Sequence, residues 1–415
     1  MSGIYIHIPF CKQACYYCDF HFSTSLKKKD ELLNALTKEL QLRKNELQNQ
    51  TVETIYFGGG TPSLLTINEL RLLIDEVYNN YQIVENPEIT LEANPDDLIE
   101  KKRSPRAQSR GLFESYKNIG INRLSIGIQS FFEDDLQSMN RAHSSEEAKK
   151  CLEEATRYYD NITIDLIYGI PKMSLEKWNE NLQMAFDFGV NHISSYALTI
   201  EPNTALESFI KKGNYPPIDE DLALQHFNYL IAETEKQGFV QYEISNFGKP
   251  NYFSKHNTSY WQGKSYLGIG PSAHSFNGKE RSWNIANNTK YIKAIQQNVL
   301  PSTVETLSEK DRFNEYVMTG LRTIWGISLD KIENYFGAVY HEQFLKSVQP
   351  YLEKMVQQDA SDLFITVGRP PSAKINGEMT PLDENTLDNQ ASIDLVYSTM
   401  NEVQKAEFEQ TKECN

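Results

Sequence analysis

Apolar positions along this chain fall into two rhythms. Short β-branched runs occur at Ile4–Ile8, Glu53–Phe57, Glu88–Glu92, Arg123–Ile128, Ile162–Ile167 and His192–Leu198, and each reads as a strand. Between them apolar residues recur at helical spacing, as in Leu33, Leu36, Leu40 and Leu47, with further helical stretches near 66–78, 145–159 and 174–188. Strand–helix alternation of this kind predicts parallel βα units. Six units before residue 200 predict an α/β fold, an incomplete (β/α)6 barrel open on one side. In parallel barrels chemistry gathers at the C-terminal ends of the strands. Those ends are rich in punctuation here: Gly58-Gly59-Gly60-Thr61-Pro62, Ala93-Asn94-Pro95 and Gln129-Ser130-Phe131. Further helices are expected at 219–237 and 309–321.

Composition narrows the classes. The formal charge is −15, which argues against general nucleic-acid binding, since phosphate contacts need a basic face. No run of 18 apolar residues occurs, so no membrane helix is expected. The start, MSGIYIHIPF, lacks the basic-then-apolar pattern of a secretory signal, and a cytoplasmic location is the expectation. The 23 tyrosines and 20 phenylalanines would suit a large aromatic ligand, although ordinary packing accounts for such numbers.

Three of the five cysteines, Cys11, Cys15 and Cys18, lie in the loop that Pro9 opens after the first strand. Cysteines this sparse, without a signal peptide, fit a reducing compartment and not a disulfide. Three thiolates close in sequence can converge on one metal centre. Iron–sulfur clusters are normally held by four cysteines, so three would leave one iron open to a small molecule. A zinc site completed by His7 or His21 is the alternative. Glu92 and Asp165 are carboxylates at strand ends, suited to accept hydroxyl hydrogen bonds, and Arg141 can grip a carboxylate bidentately.

The order Cys-x-x-x-Cys-x-aromatic-Cys after a first strand resembles the radical S-adenosylmethionine (SAM) superfamily. The fuller string YIHIPFC…CDF resembles the branch that holds the oxygen-independent coproporphyrinogen III oxidases and the heme chaperone HemW. The resemblance covers roughly residues 1–352. It implies a [4Fe–4S] cluster on Cys11, Cys15 and Cys18, with SAM chelating the open iron and cleaved to a 5′-deoxyadenosyl radical. It places Tyr5 beside the SAM carboxylate, Tyr17 near the adenine and Ala197 beneath it. Gly59, Gly60 and Thr61 then bind the methionyl end, and Glu92, Gln129, Arg141 and Asp165 contact the ribose and carboxylate. The string His256-Asn257-x-x-Tyr260-Trp261 resembles the heme-binding motif of the chaperones, with His256 the implied iron ligand and His274 a weaker one. The oxidases carry a further cysteine two residues after the third, where this chain has Phe20, and an N-terminal extension. Both differences favour the chaperone branch. That branch implies heme, respiratory hemoproteins as recipients, a flavodoxin or ferredoxin-type electron donor, and room for peripheral membrane association.

Two stretches depart from this frame. Lys101–Arg110 holds five basic residues and an internal proline, and reads as a solvated insertion where a helix is expected. From Met355 onward the chain resembles the N-terminal domain of type IV pilus retraction ATPases, in ASDLF and in MNEVQKAEFE. No Gly-x-x-x-x-Gly-Lys-[Ser/Thr] loop occurs, so the ATPase engine is absent. Residues 353–415 hold 12 acidic and 5 basic side chains, an acidic tail whose sharper reading is a docking module of the pilus machinery. The expected domains are a partial barrel over 1–215, an extension carrying the His-Asn-x-x-Tyr-Trp motif over 216–300, a truncated helical domain over 301–354 and the foreign tail over 355–415. The junction falls inside a small domain, so its final strands are expected to be missing and the tail loosely packed.

Overall fold

The structure is a computed structural model that describes residues 1–99, 110–347, 349–364, 370, 372–375 and 378–383. It divides into two compact units, Met1–Glu305 and Thr306–Asn415.

The six predicted strands form in order: β1 (Ser2–Ile8), β2 (Val52–Gly59), β3 (Ile83–Ala93), β4 (Arg123–Gln129), β5 (Ile162–Tyr168) and β6 (His192–Ala197). Each pairs in parallel with the next. Side chains alternate across a strand with period two, and the two faces differ in chemistry. One face carries Ile4, Ile6, Ile8, Ile55, Phe57, Ile89, Leu91, Leu124, Ile126, Ile164 and Ile193, all buried in one apolar core with the helices. The other carries Tyr5, His7, Thr54, Tyr56, Glu88, Thr90, Glu92, Arg123, Ser125, Thr163, Asp165, His192 and Ser194. The helix-side face therefore supplies the hydrophobic stabilisation, and the inward face is left polar. Helices Ile67–Asn80 and Ser145–Tyr158 each begin with a capping box, Thr66 with Glu69 and Ser144 with Glu147, which satisfies backbone donors that the first turn leaves open.

The sheet runs further than the sequence pattern predicts. On the β6 side it adds β7 (Val240–Gln241) and β8 (Asn246–Gly248). On the β1 side it adds β9 (Tyr266–Ile269), β10 (His274–Phe276), β11 (Glu280–Asn284) and β12 (Ser302–Thr306). The strand order is β12-β11-β10-β9-β1-β2-β3-β4-β5-β6-β8-β7, so the two edges do not pair and the barrel is open. These added strands are two to five residues long, too short for a readable alternation.

Inside the sheet the N-terminal strand ends meet a polar layer. The buried Arg123 donates to Thr163 Oγ1 and lies 4.0 Å from Glu88. Thr163 Oγ1 is 3.0 Å from His192 Nδ1, and His192 Nε2 is 2.7 Å from the Tyr242 hydroxyl. Glu88 also accepts from the backbone N–H groups of Lys255 and His256, at the start of helix Lys255–Trp261. A carboxylate at a helix N-terminus is favoured by the dipole and the open amides.

In the second unit, helices Glu309–Leu321, Leu329–Phe336, Ala338–Ser347 and Gln349–Gln357 surround Phe313, Val317, Ile332 and Phe344. One helix, Gln349–Gln357, runs through the junction. It is followed by an antiparallel sheet of β13 (Ala360–Phe364), β14 (Ser372–Ile375) and β15 (Glu378–Pro381). Lys354 Nζ donates to the Leu382 carbonyl at 2.6 Å and pairs with Asp383 at 3.6 Å, while Ala373 and Leu382 are buried. The basic stretch 101–109 and the MNEVQKAEFE segment lie outside the described residues.

Arg123→Ala leaves Glu88 as a buried charge without its cation. A loss of roughly 3–5 kcal/mol in unfolding free energy is expected, measured by urea denaturation. A loss below about 1 kcal/mol would show that the layer is solvated.

Candidate cofactor site

The loop after β1 is fixed from several directions. Cys11 N–H donates to the Ser23 carbonyl at 3.1 Å and Ser23 N–H to the Pro9 carbonyl at 2.9 Å. Tyr16 N–H donates to the Met139 carbonyl, Leu206 N–H to the Tyr16 carbonyl, and Gln13 Nε2 to the Asn140 carbonyl at 2.9 Å. Lys12 pairs with Asp96 and Asp97 beyond the end of β3. The three thiols are free and half-buried on this loop. Burial raises the Cys11 pKa and pushes that of Cys18 up to about 11, so thiolates form there only with a strongly positive ligand. Among the described residues no three His, Cys, Asp or Glu side chains gather closely enough for a single ion. The histidines weighed for zinc are engaged elsewhere. His7 Nδ1 is 3.2 Å from the Tyr5 hydroxyl and Nε2 is 3.1 Å from the His21 carbonyl, while His21 Nε2 is 2.8 Å from Asn288 Oδ1.

Arg141 joins the thiol loop to the strand ends. One guanidinium nitrogen lies 3.4 Å from Cys15 Sγ and 3.4 Å from the Tyr17 hydroxyl. The other donates to Asn94 Oδ1 at 2.8 Å and to the Gly127 carbonyl at 2.9 Å. Its Nε is buried without a hydrogen-bond partner, a donor that an anionic group could satisfy. Asn94 also donates to Thr61 Oγ1 at 3.2 Å. Glu92 accepts from the Tyr56 hydroxyl at 2.8 Å and from Gly59 N–H at 3.1 Å. Burial lifts its pKa to about 7, with nearby Asp165 adding to the rise. Burial likewise lifts Asp165 to about 6, opposed by Arg141 and Arg123. Gln129, at the end of β4, holds a left-handed φ of 65°, and Ala197 is half-buried at the end of β6.

The glycines are required by space. Gly59 has φ of 107°, and a Cβ there would lie 2.5 Å from the His7 ring; one at Gly60 would lie 2.6 Å from the Phe10 carbonyl oxygen. With no side chain at Gly59 or Gly60, the backbone at the strand end can be approached closely. Tyr5, Cys11, Cys15, Cys18, Tyr17, Gly59, Gly60, Thr61, Glu92, Gln129, Arg141, Asp165 and Ala197 thus all lie in the thiol loop or along strands β1–β6 and the segments that leave them. Tyr56 and Asn94 were not singled out from the sequence. Tyr56 shares the inward face two positions before Gly58, and that alternation was the available signal.

The His256 group lies elsewhere. His256 is buried, with Nδ1 2.7 Å from Thr54 Oγ1 and Nε2 2.7 Å from the Tyr260 hydroxyl. Its ring stacks on Tyr56 at 4.8 Å and lies 6.3 Å from Tyr5. Asn257 and Trp261 are half-buried on the same helix. His256 therefore faces into the sheet with both ring nitrogens hydrogen-bonded.

Comparison with known proteins agrees with this geometry. Residues 5–185 match the family model for the radical SAM superfamily. The heme chaperone HemW of Bacillus subtilis is 31% identical over 374 residues, covering 88% of this chain and 95% of the relative. This chain belongs to the HemW family. The heme chaperone HemW of Escherichia coli is 38% identical over 278 residues, 66% of this chain and 69% of the relative. Coproporphyrinogen III oxidase (HemN) from Escherichia coli, a radical SAM enzyme, superposes with a TM-score of 0.73 at 20% identity, over 96% of this chain and 89% of that one; the likeness is one of fold. Membership of the radical SAM family brings a [4Fe–4S] cluster and SAM as the cofactor pair, and the half-buried thiol loop, the glycine run without side chains and the unpaired Arg141 Nε fit them.

Two outcomes are expected. Gly59→Ala should weaken SAM binding by roughly tenfold or more in equilibrium dialysis, because the methyl group cannot fit without moving His7; unchanged binding would refute the packing argument. Glu92 has a folded pKa raised from 4.5 to about 7, so it stabilises the fold below pH 4.5 relative to neutrality, and that stability is lost as pH rises through 7. Glu92→Gln should remove ~3 kcal/mol of this pH dependence, read from denaturation midpoints between pH 4.5 and 8.

Proposed function

We propose that this protein binds heme and passes it to hemoproteins, using a [4Fe–4S] cluster and SAM held at the C-terminal ends of β1–β6. The observation that carries this reading is the alignment with the Bacillus subtilis heme chaperone across nearly the whole of both chains. In this reading Cys11, Cys15 and Cys18 each take one iron. The backbone at Gly59 and Gly60, with Thr61, receives the methionyl end of SAM, and Tyr5 lies beside its carboxylate. Arg141 meets that carboxylate through the donor that the protein leaves open. Glu92, Gln129 and Asp165 take the ribose, and Tyr17 and Ala197 enclose the adenine. When bound, the cluster supplies the electron for reductive cleavage of SAM. The protein's own part is orientation: Tyr56 holds Glu92 toward Gly59, and Asn94 holds Arg141 toward Thr61.

Phe20 is exposed two residues beyond Cys18, where the oxidases resembled by the sequence carry another cysteine. This supports the chaperone over the oxidase. A flavodoxin or ferredoxin-type donor would reach the cluster through the half-buried loop. The recipients are respiratory hemoproteins, met in the cytoplasm or at the membrane surface; no helix among the described residues is long and apolar enough to cross a membrane.

Anaerobically reconstituted protein is expected to carry about four irons per chain, and serine at Cys11, Cys15 and Cys18 together to abolish the cluster absorbance. The same wild-type preparation should release bound heme to an apo-hemoprotein while leaving coproporphyrinogen III unoxidised. Oxidation of coproporphyrinogen III would overturn the chaperone assignment.

A further inference from the structure

The chain as a whole is acidic, with a formal charge of −15, yet the surface that adjoins the thiol loop is basic. The loop continues from Cys18 through Asp19 and Phe20 to Ser23, which bonds back to Pro9 and Cys11. The Phe20 side chain is 69% exposed. Its backbone hydrogen-bonds to the Cys18 thiol and opposes the burial that raises the pKa of that group. A large aromatic ring thus stands in solvent on a residue that touches one of the three thiols. Leu26, 47% exposed, adds a second apolar group further along the same segment.

Lysines surround this apolar pair. His21 Nε2 lies 2.8 Å from Asn288 Oδ1, and Lys28 Nζ donates to Thr289 Oγ1 at 2.6 Å. These two contacts fasten the segment from Phe20 to Lys28 onto the start of the helix Asn288–Gln296. Lys27 is exposed next to Leu26, and Lys290 and Lys293 are exposed on that helix, three positions apart and so on one face. Residues 285–300 contain no Asp or Glu. Lys38 also reaches the helix, donating to the Gln296 carbonyl at 2.9 Å. The acids nearby are Asp19, Asp30 and Glu31, all exposed, and Glu69, which Lys29 holds at 2.7 Å. Outside that pair, lysines 27, 28, 38, 290 and 293 outnumber the acids. Exposed apolar groups ringed by one sign of charge are the make-up of a transient protein contact.

We infer that Phe20 and Leu26, with Lys27, Lys28, Lys290 and Lys293 around them, form the docking surface for a small acidic protein that delivers single electrons to the thiol loop. The inference rests on the cluster reading above and gives the electron donor its place on this chain. An acidic partner is drawn to a basic patch and repelled by the rest of an acidic surface, so charge both speeds the encounter and fixes its position. Phe20 then lies between the partner and Cys18. The step moves one electron. The donor's reduced flavin or iron–sulfur centre is oxidised by one, the cluster on Cys11, Cys15 and Cys18 is reduced by one, and no bond forms or breaks. A donor that must leave after each electron suits a small contact held by screened charges.

The test uses anaerobically reconstituted full-length protein, with reduced flavodoxin as the acidic donor and dithionite as a reductant that needs no docking. Cluster reduction is followed by absorbance and electron paramagnetic resonance. In the wild type the rate with flavodoxin should fall steeply as salt is added. The double variant Lys27→Glu, Lys290→Glu should be reduced by flavodoxin roughly tenfold more slowly at low salt, with the salt dependence flattened, while dithionite reduces it at the wild-type rate. Phe20→Ser should slow flavodoxin and spare dithionite in the same way. Oxidised flavodoxin titrated into each protein should show a matching loss of affinity. The docking surface is overturned if flavodoxin reduces the double variant as fast as the wild type, or if the wild-type rate ignores salt. It is overturned too if dithionite is slowed equally, since the cluster and not the contact would then be disturbed. A wild-type cluster that dithionite reduces and flavodoxin does not would overturn the partner. A wild type that holds no cluster would overturn the cofactor reading itself, and this inference with it.

Discussion

The separation of two faces along six parallel strands is the constraint on which the rest depends. A strand has one residue in two on each side. Here the helix side holds Ile6, Phe57, Leu91, Ile126 and Ile164 in one continuous apolar core, which carries the hydrophobic stabilisation of the first unit. The inward side is thereby free to hold groups that no core would accept. Glu92 there is held by Tyr56 and Gly59 N–H, and Arg141 by Cys15, Tyr17, Asn94 and Gly127. Desolvation is what lifts Glu92 toward neutrality and strengthens each charge-assisted contact.

Much of this could be read from residue order. The thiol triplet, the glycine run and the six β-branched runs are local signals, and local signals survive without a structure. Arg141 shows the limit. Its residue type suggested a carboxylate grip, but its link to Cys15, Asn94 and Gly127 joins segments far apart in sequence, and no spacing rule reports that. The strands from β7 to β12 were missed for a different reason. At two to five residues they are stabilised by pairing with a neighbour and carry little pattern of their own. In the second unit the short strands β13, β14 and β15 likewise hold together by pairing with one another.

His256 shows how a motif is set into the fold. A histidine followed by tyrosine and tryptophan resembles a heme motif, and the spacing puts His256 and Tyr260 on one face of a helix. That face turns inward, because Glu88 anchors the helix start and Thr54 bonds the imidazole. The motif thereby bears on Tyr56 and through it on Glu92, a link between segments that no spacing rule reports.

The linear strand order, with β12 at one edge and β7 at the other, has a consequence for traffic. A closed cylinder admits large flat molecules only through its rims. Edge strands that do not pair with each other would let a disc-shaped passenger enter or leave sideways while every ladder of backbone hydrogen bonds stays intact. Loading and unloading then require no unfolding, only competition from a neighbour that grips the passenger harder.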